Sequence, residues 1–129
     1  MIETKEKLQN IIAFGWVGML AAYLASFMMR IIINGPEALS QDIGITWPMI
    51  VFFYIFILIP ISVKIFQAIA FRWTVFVVTL LYTLLFSAHV ITNLFVIGTP
   101  VPIVMLFALI PILGIWGAVA AFKWARLKE

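Results

Sequence analysis

The sequence predicts an all-α integral membrane protein, a four-helix bundle with both termini on the cytoplasmic side (N-in/C-in). The first observation is composition. Of 129 residues, 66% are hydrophobic and only 10% are charged, whereas a soluble domain carries roughly 25% charged residues to cover its surface. The mean hydropathy is +1.23. The second is pattern: the apolar residues run in long blocks rather than in a stripe of helical period, as expected of helices surrounded by lipid. The third is charge placement, with seven of the eight Lys and Arg residues assigned to one side.

Four apolar blocks can be traced, each about long enough to cross ~30 Å of hydrocarbon as a helix. Taken as a single domain over residues 1–129, the chain has expected spans at about 11–33, 47–68, 72–96 and 102–122. Lys5 and Lys7 precede the first block in the manner of a signal peptide. The block is too long for one, however, and no Ala-x-Ala site follows, so an uncleaved span is expected. Asn34-Gly35-Pro36 supplies its stop and turn. A polar connection with Glu37 and Asp42 leads to Thr46-Trp47-Pro48, which opens the second block with a proline tolerated in the first turn and a tryptophan at headgroup level.

No glycine or proline marks the next reversal. An unbroken helix from Pro48 to Ile97 would measure ~75 Å, so the chain must fold back within it. The one charged interruption, Lys64 to Arg72, puts the reversal near Gln67 to Phe71. Gly98-Thr99-Pro100-Val101-Pro102 forms the last turn. With this layout Lys5, Lys7, Lys64, Arg72, Lys123, Arg126 and Lys128 share one side and Arg30 stands alone on the other, a positive-inside bias that sets the orientation. Arg72-Trp73 and Lys123-Trp124 are expected to anchor at the inner interface. The net charge of +3 resides in short connections, so its partners are anionic lipid headgroups and not nucleic acid.

Polar residues inside the spans carry the functional signal, because each is costly in lipid. Tyr23, Ser26, Arg30 and Asn34 fall within about 80° of one helix face at 100° per residue. Thr79, Tyr82, His89, Thr92 and Asn93 share a broad face of the third span. Both spans run outward, which brings Arg30 level with His89 and Asn93. The candidate site is a polar pocket of Arg30, His89, Asn93, Tyr82 and Tyr23 opening to the outer face, with Glu37 or Asp42 near its mouth. The competing reading has Arg30 snorkelling to headgroups while His89 and Asn93 bond to backbone or neighbours. Pro60 and Pro111 leave the carbonyls of Phe56 and Phe107 without helical donors. Gly18/Ala22, Ala21/Ala25, Gly114/Ala118 and Gly117/Ala121 are small-residue pairs that permit close helix approach, within the bundle or between protomers.

Absences narrow the function. There are no cysteines, which excludes disulfides and thiolate metal sites. No Asp or Glu lies within an apolar block, so a proton-coupled antiporter or a small multidrug transporter, which depends on a glutamate in its first span, is disfavoured. The single histidine excludes a haem held by two histidines of one chain. No Walker loop, zinc pair or catalytic triad is present. The expectation is a non-enzymatic protein with no metal or cofactor, acting as a channel-, carrier- or ligand-binding homo-oligomer. The alternative is an accessory subunit of a larger membrane complex, such as a quinone- or haem-carrying one.

Ser26-Phe27 ahead of Asn34-Gly35-Pro36, Ile59-Pro60-Ile61-Ser62 and Phe71-Arg72-Trp73 resemble motifs of a family of small four-span bacterial inner-membrane proteins with no established activity. Leu58 stands where that family often has glutamate. The resemblance covers the first three spans and implies the same topology and a bacterial inner membrane, without implying a function.

Overall fold

The computed structural model describes residues 2–35, 47–98 and 100–127. Glu37 and Asp42, expected at the pocket mouth, lie outside the described residues, as do Thr46, Thr99, Lys128 and Glu129. The described residues form four helices and no strand: α1 (Ile2–Asn34), α2 (Trp47–Ile65), α3 (Ile69–Thr92) and α4 (Val101–Ala125), with a π-helical turn (Asn93–Ile97) extending α3. Three of them are long and apolar enough to cross a membrane, over Thr4–Ile33, Ile69–Phe95 and Val101–Ala125, while Ile50–Ile65 is a shorter apolar helix.

Helix ends follow local chemistry. Gly35 and Gly98 adopt left-handed φ of 82° and 70° and terminate α1 and the π turn, where a residue without a Cβ meets no steric penalty. Pro100 caps α4, accepting from the Ile103 and Val104 amides. Both interior prolines are accommodated in continuous helix. The reversal between α2 and α3 occupies residues 66–68, so Arg72 lies within the first turn of α3 rather than opening it. At the other end of the sequence α1 starts well before the apolar block. Its early residues Leu8 and Gln9 are buried, because this extra length packs beside the end of α2.

The helices alternate in direction. α4 packs most extensively against α1 and next against α3, whereas the α2 backbone lies nearer α1 and meets α3 through aromatic side chains. Two kinds of packing produce this unevenness. Along α4, Gly114, Gly117, Ala118 and Ala121 are buried and let neighbouring backbones approach. A Cβ placed on Gly15 would stand 3.5 Å from the Gly117 Cα and 3.5 Å from the Leu113 carbonyl oxygen. On the α2 side the space is filled by rings instead. Trp16 and Phe52 each pack on Phe56 and Tyr82, which also contact each other, Phe52 and Tyr82 being stacked at 4.6 Å. Small side chains draw α1, α3 and α4 together, and large ones hold α2 off.

Large apolar side chains cover the outside. Met28 and Ile32 on α1, Ile57 and Ile61 on α2, Leu84 on α3 and Ile115 on α4 are more than half exposed. The four helices therefore have an apolar exterior as well as an apolar core, and the small-residue pairs divide between them. Gly18, Gly114 and Gly117 face neighbours inside the bundle, while Ala21 is exposed.

Candidate functional site

Three helices converge on Phe107 of α4, which is buried. The Arg30 guanidinium carbon lies 5.9 Å from its ring centroid and the His89 ring 5.1 Å. Tyr23 meets it edge-on at 6.0 Å. A cation over an aromatic face is attracted by the ring quadrupole, so Phe107 is one partner of the Arg30 guanidinium. Arg30 is half-buried and His89 exposed. His89 stands at the margin of the buried face of α3 rather than inside the bundle.

The other candidate residues have different surroundings. Asn93 is 3% exposed, and its Nδ2 donates to the His89 carbonyl at 2.8 Å. It sits where the helix widens into the π turn, and its amide serves the carbonyl of the residue that presents the imidazole. Tyr82 is buried in the ring cluster, with its hydroxyl donating to the Phe52 carbonyl at 3.0 Å. Tyr23 bridges the two groups, packing on Phe53 and Phe86 as well as Phe107. The structure thus brings Arg30, His89 and Tyr23 around one ring and keeps Tyr82 in the core.

Much of the polar face on α3 satisfies itself. Thr79, Thr83 and Ser87 donate to the carbonyls of Val75, Thr79 and Thr83, at 2.6, 2.8 and 2.7 Å. Each hydroxyl bonds four residues back, the usual way such groups are accommodated in apolar helices. Thr79 also accepts the Trp16 indole N–H at 3.1 Å, a polar link across the core.

At the opposite end of the bundle lies a second polar group that sequence reasoning missed. Gln9 Nε2 donates to the Val63 carbonyl at 2.8 Å, serving one of the last carbonyls of α2, which have no helical donor. Lys64 donates to the Asn10 side-chain oxygen. Arg72 is fully buried, contrary to the expectation of an interfacial anchor. Its Nε donates to the Gln67 carbonyl at 3.0 Å. Its Nη1 makes longer contacts of 3.4 Å to the carbonyls of Trp124 and Leu127, and its guanidinium lies 5.4 Å from the Trp124 ring. The carbonyl end of α4 is negative, so a buried cation is stabilised there even though the Trp124 carbonyl also accepts the Leu127 amide at 3.2 Å. In each of the two cation–aromatic pairs, one member turns inward: Arg72 but not Trp73, Trp124 but not Lys123. Among the described residues, the Trp124 indole nitrogen is the one buried side-chain polar atom without a hydrogen-bond partner.

Among the described residues no cluster of His, Cys, Asp or Glu could hold a metal ion. No family model, curated protein or solved structure matches the chain.

Proposed function

We propose that the chain is a four-span integral membrane protein of a bacterial inner membrane, with both termini cytoplasmic. In this reading it is a non-enzymatic binding protein whose site is the Arg30–Phe107–His89 cluster at the outer end. The observation that carries the site is the convergence of a guanidinium and an imidazole from two helices on one ring of a third. Such a pair suits an anionic group, a carboxylate or phosphate, which a guanidinium binds through charge-assisted hydrogen bonds. The membrane assignment draws on the exposed apolar side chains of all four helices, since a soluble monomer rarely leaves so much apolar surface in contact. A core filled by Trp16, Phe56 and Phe86 favours binding over conduction through a single bundle.

Reporters test the orientation. Fusions at Glu129 and near Phe71 should report cytoplasm and one near Ser40 the outer face; an outward Glu129 would overturn it. A cysteine replacing His89, in a chain without other cysteines, should react with a membrane-impermeant thiol reagent added outside. A cysteine at Tyr82 should not. Arg30→Gln should weaken anion binding at the site with little change in melting. If it lowers only expression, Arg30 is an anchor and the site is lost.

The second reading, an accessory subunit, is favoured by Ala21, exposed on α1 with half-buried Ala25 one turn on. That leaves one small-residue pair open to another helix, in a second copy or a larger complex. Purification from native membranes separates the two, by stoichiometric recovery of a larger partner or of a lone homo-oligomer.

A further inference from the structure

The end of the bundle that holds Arg72 also carries an outward-facing cluster built from α3 and α4. Arg126, exposed just past the end of α4, has its guanidinium carbon 5.4 Å from the Phe122 ring centroid. Phe122 packs on Trp73 at 5.9 Å and on Phe76 at 5.4 Å, and Trp73 meets Phe76 at 5.9 Å. Trp73 and Phe122 are each 38% exposed, so these rings form a surface and not a core. Lys123, also exposed, is adjacent to Phe122. Continuing along α4, Val119 and Ile115 share the face of Phe122 and Arg126 at helical spacing and are 50% and 58% exposed. On α3, Val77, Leu80 and Leu84 continue the line of Trp73 and are likewise exposed.

Read from the tip inward, this strip offers a cation pair, then aromatic rings, then aliphatic side chains. An anionic phospholipid has the same order of chemistry: phosphate, then the glycerol and ester layer, then acyl chain. Aromatic rings of this amphipathic kind favour the headgroup level, and a basic residue beside an anionic headgroup gains from its charge. The last turn of α4 is held from within, because Arg72 reaches the carbonyls of Trp124 and Leu127 on either side of Arg126. The cation is therefore presented from a fixed turn.

We propose that Arg126, Lys123, Trp73 and Phe122 form a binding site for an anionic phospholipid of the leaflet next to the chain termini. This rests on the membrane reading given above. The site should distinguish headgroup charge at constant acyl chain, and each cation removed should cost about a fivefold loss in affinity.

The test uses the full-length protein in neutral detergent, with binding of phosphatidylglycerol and phosphatidylcholine of identical chains followed by native mass spectrometry. Phosphatidylglycerol should bind in preference. Lys123→Gln with Arg126→Gln should lose about 25-fold, while Lys7→Gln, on a different helix, should leave binding unchanged. Melting temperatures should match across all three proteins, since every altered side chain is exposed. Equal binding of the two lipids would overturn the site, as would a loss with Lys7→Gln as large as that of the pair, which would mean a diffuse basic rim. Competition by millimolar inorganic phosphate would also overturn it, showing an anion site indifferent to the lipid. Failure of the protein to sediment with carbonate-washed membranes would defeat the membrane reading itself, and this is measured separately.

Discussion

Replacing Gly114 by alanine adds one methyl group where α4 packs directly on Thr83 of α3. The new Cβ would fall onto the Thr83 hydroxyl, with Thr83 Cβ 3.1 Å and Cγ2 3.3 Å away. A β-branched side chain cannot withdraw, because its Cβ is fixed by the backbone. Rotation about χ1 would break the Thr83 bond to the Thr79 carbonyl at 2.8 Å, a loss of about 1 kcal/mol. Overpacking of this kind costs ~1–3 kcal/mol, partly offset by the ~0.5–1 kcal/mol that alanine gains over glycine in a helix. Gly18→Ala provides the internal comparison. Its Cβ would meet the Leu113 Cδ1 at 2.9 Å, but that atom is the far end of a flexible, half-buried side chain that can move aside. Gly18→Ala should therefore be neutral or slightly stabilising, and the gap between the two variants should be about 1–2 kcal/mol.

Unfolding of the full-length protein in detergent, by denaturant or by heat, reads that gap. Thr83→Ala supplies the decisive control, because it removes the hydroxyl and Cγ2, two of the three Thr83 atoms that crowd an alanine at 114, and leaves only the Cβ. The double variant should recover most of the loss, giving a coupling of about 1 kcal/mol or more in a double-mutant cycle. A coupling indistinguishable from zero, or a loss for Gly18→Ala equal to that for Gly114→Ala, would refute the glycine contact as the reason these helices pack closely.

Two further variants probe the polar contacts. Arg72→Met strips the guanidinium from the carbonyls of Gln67, Trp124 and Leu127 and should lower unfolding free energy by about 2 kcal/mol; Arg72→Lys, which keeps the charge, should lose less. Unchanged melting for Arg72→Met would mean that water replaces the guanidinium and that the cap is unimportant. Thr79→Val leaves the Trp16 N–H without its acceptor and should cost about 1 kcal/mol, near the range measured for hydrogen bonds between membrane helices. Trp16→Phe in the Thr79→Val background should then add less than it does alone, and strict additivity would contradict the link.

The helical plan was legible because it depends on length and local chemistry. Asn34-Gly35 and Gly98 end helices for a backbone reason visible in the residues themselves. The reversal without glycine or proline was found because a second helix of its length had to turn at its only charged break. Arg72 was not legible. A cation at the edge of an apolar block is ordinarily an interfacial anchor, and what draws this one inward is the carbonyl end of a helix that starts almost thirty residues later. Gln9 was missed for the same reason: its partner, the Val63 carbonyl, is a backbone group with no sequence signature. The polar face of α3 misled in the other direction. Thr79, Thr92 and Asn93 have the spacing of a pocket lining, yet each donates to a carbonyl of its own helix. Phe107, the ring on which the candidate site turns, carries no polar atom in its side chain and so fell outside a search guided by polarity.

The distribution of packing also bears on how a site at Arg30 and His89 would work. Arg30, His89 and Phe107 belong to α1, α3 and α4, and α4 is packed closely against both of the others, with Gly114 and Gly117 in those contacts. α2 is held differently, by rings and by three side-chain bonds, from Tyr82 to the Phe52 carbonyl, from Gln9 to that of Val63 and from Lys64 to Asn10. Local opening takes the path of least close packing, which here is displacement of α2, whose backbone stands furthest from its neighbours, and not distortion of the tight trio. A ligand at Arg30 and His89 would therefore meet a site whose main positions exist before it arrives. It would lose little of its binding free energy to rearrangement of the bundle, and its affinity should be nearly indifferent to substitutions that loosen α2. Variants that force α4 away from α3 should weaken it in step with the loss of packing.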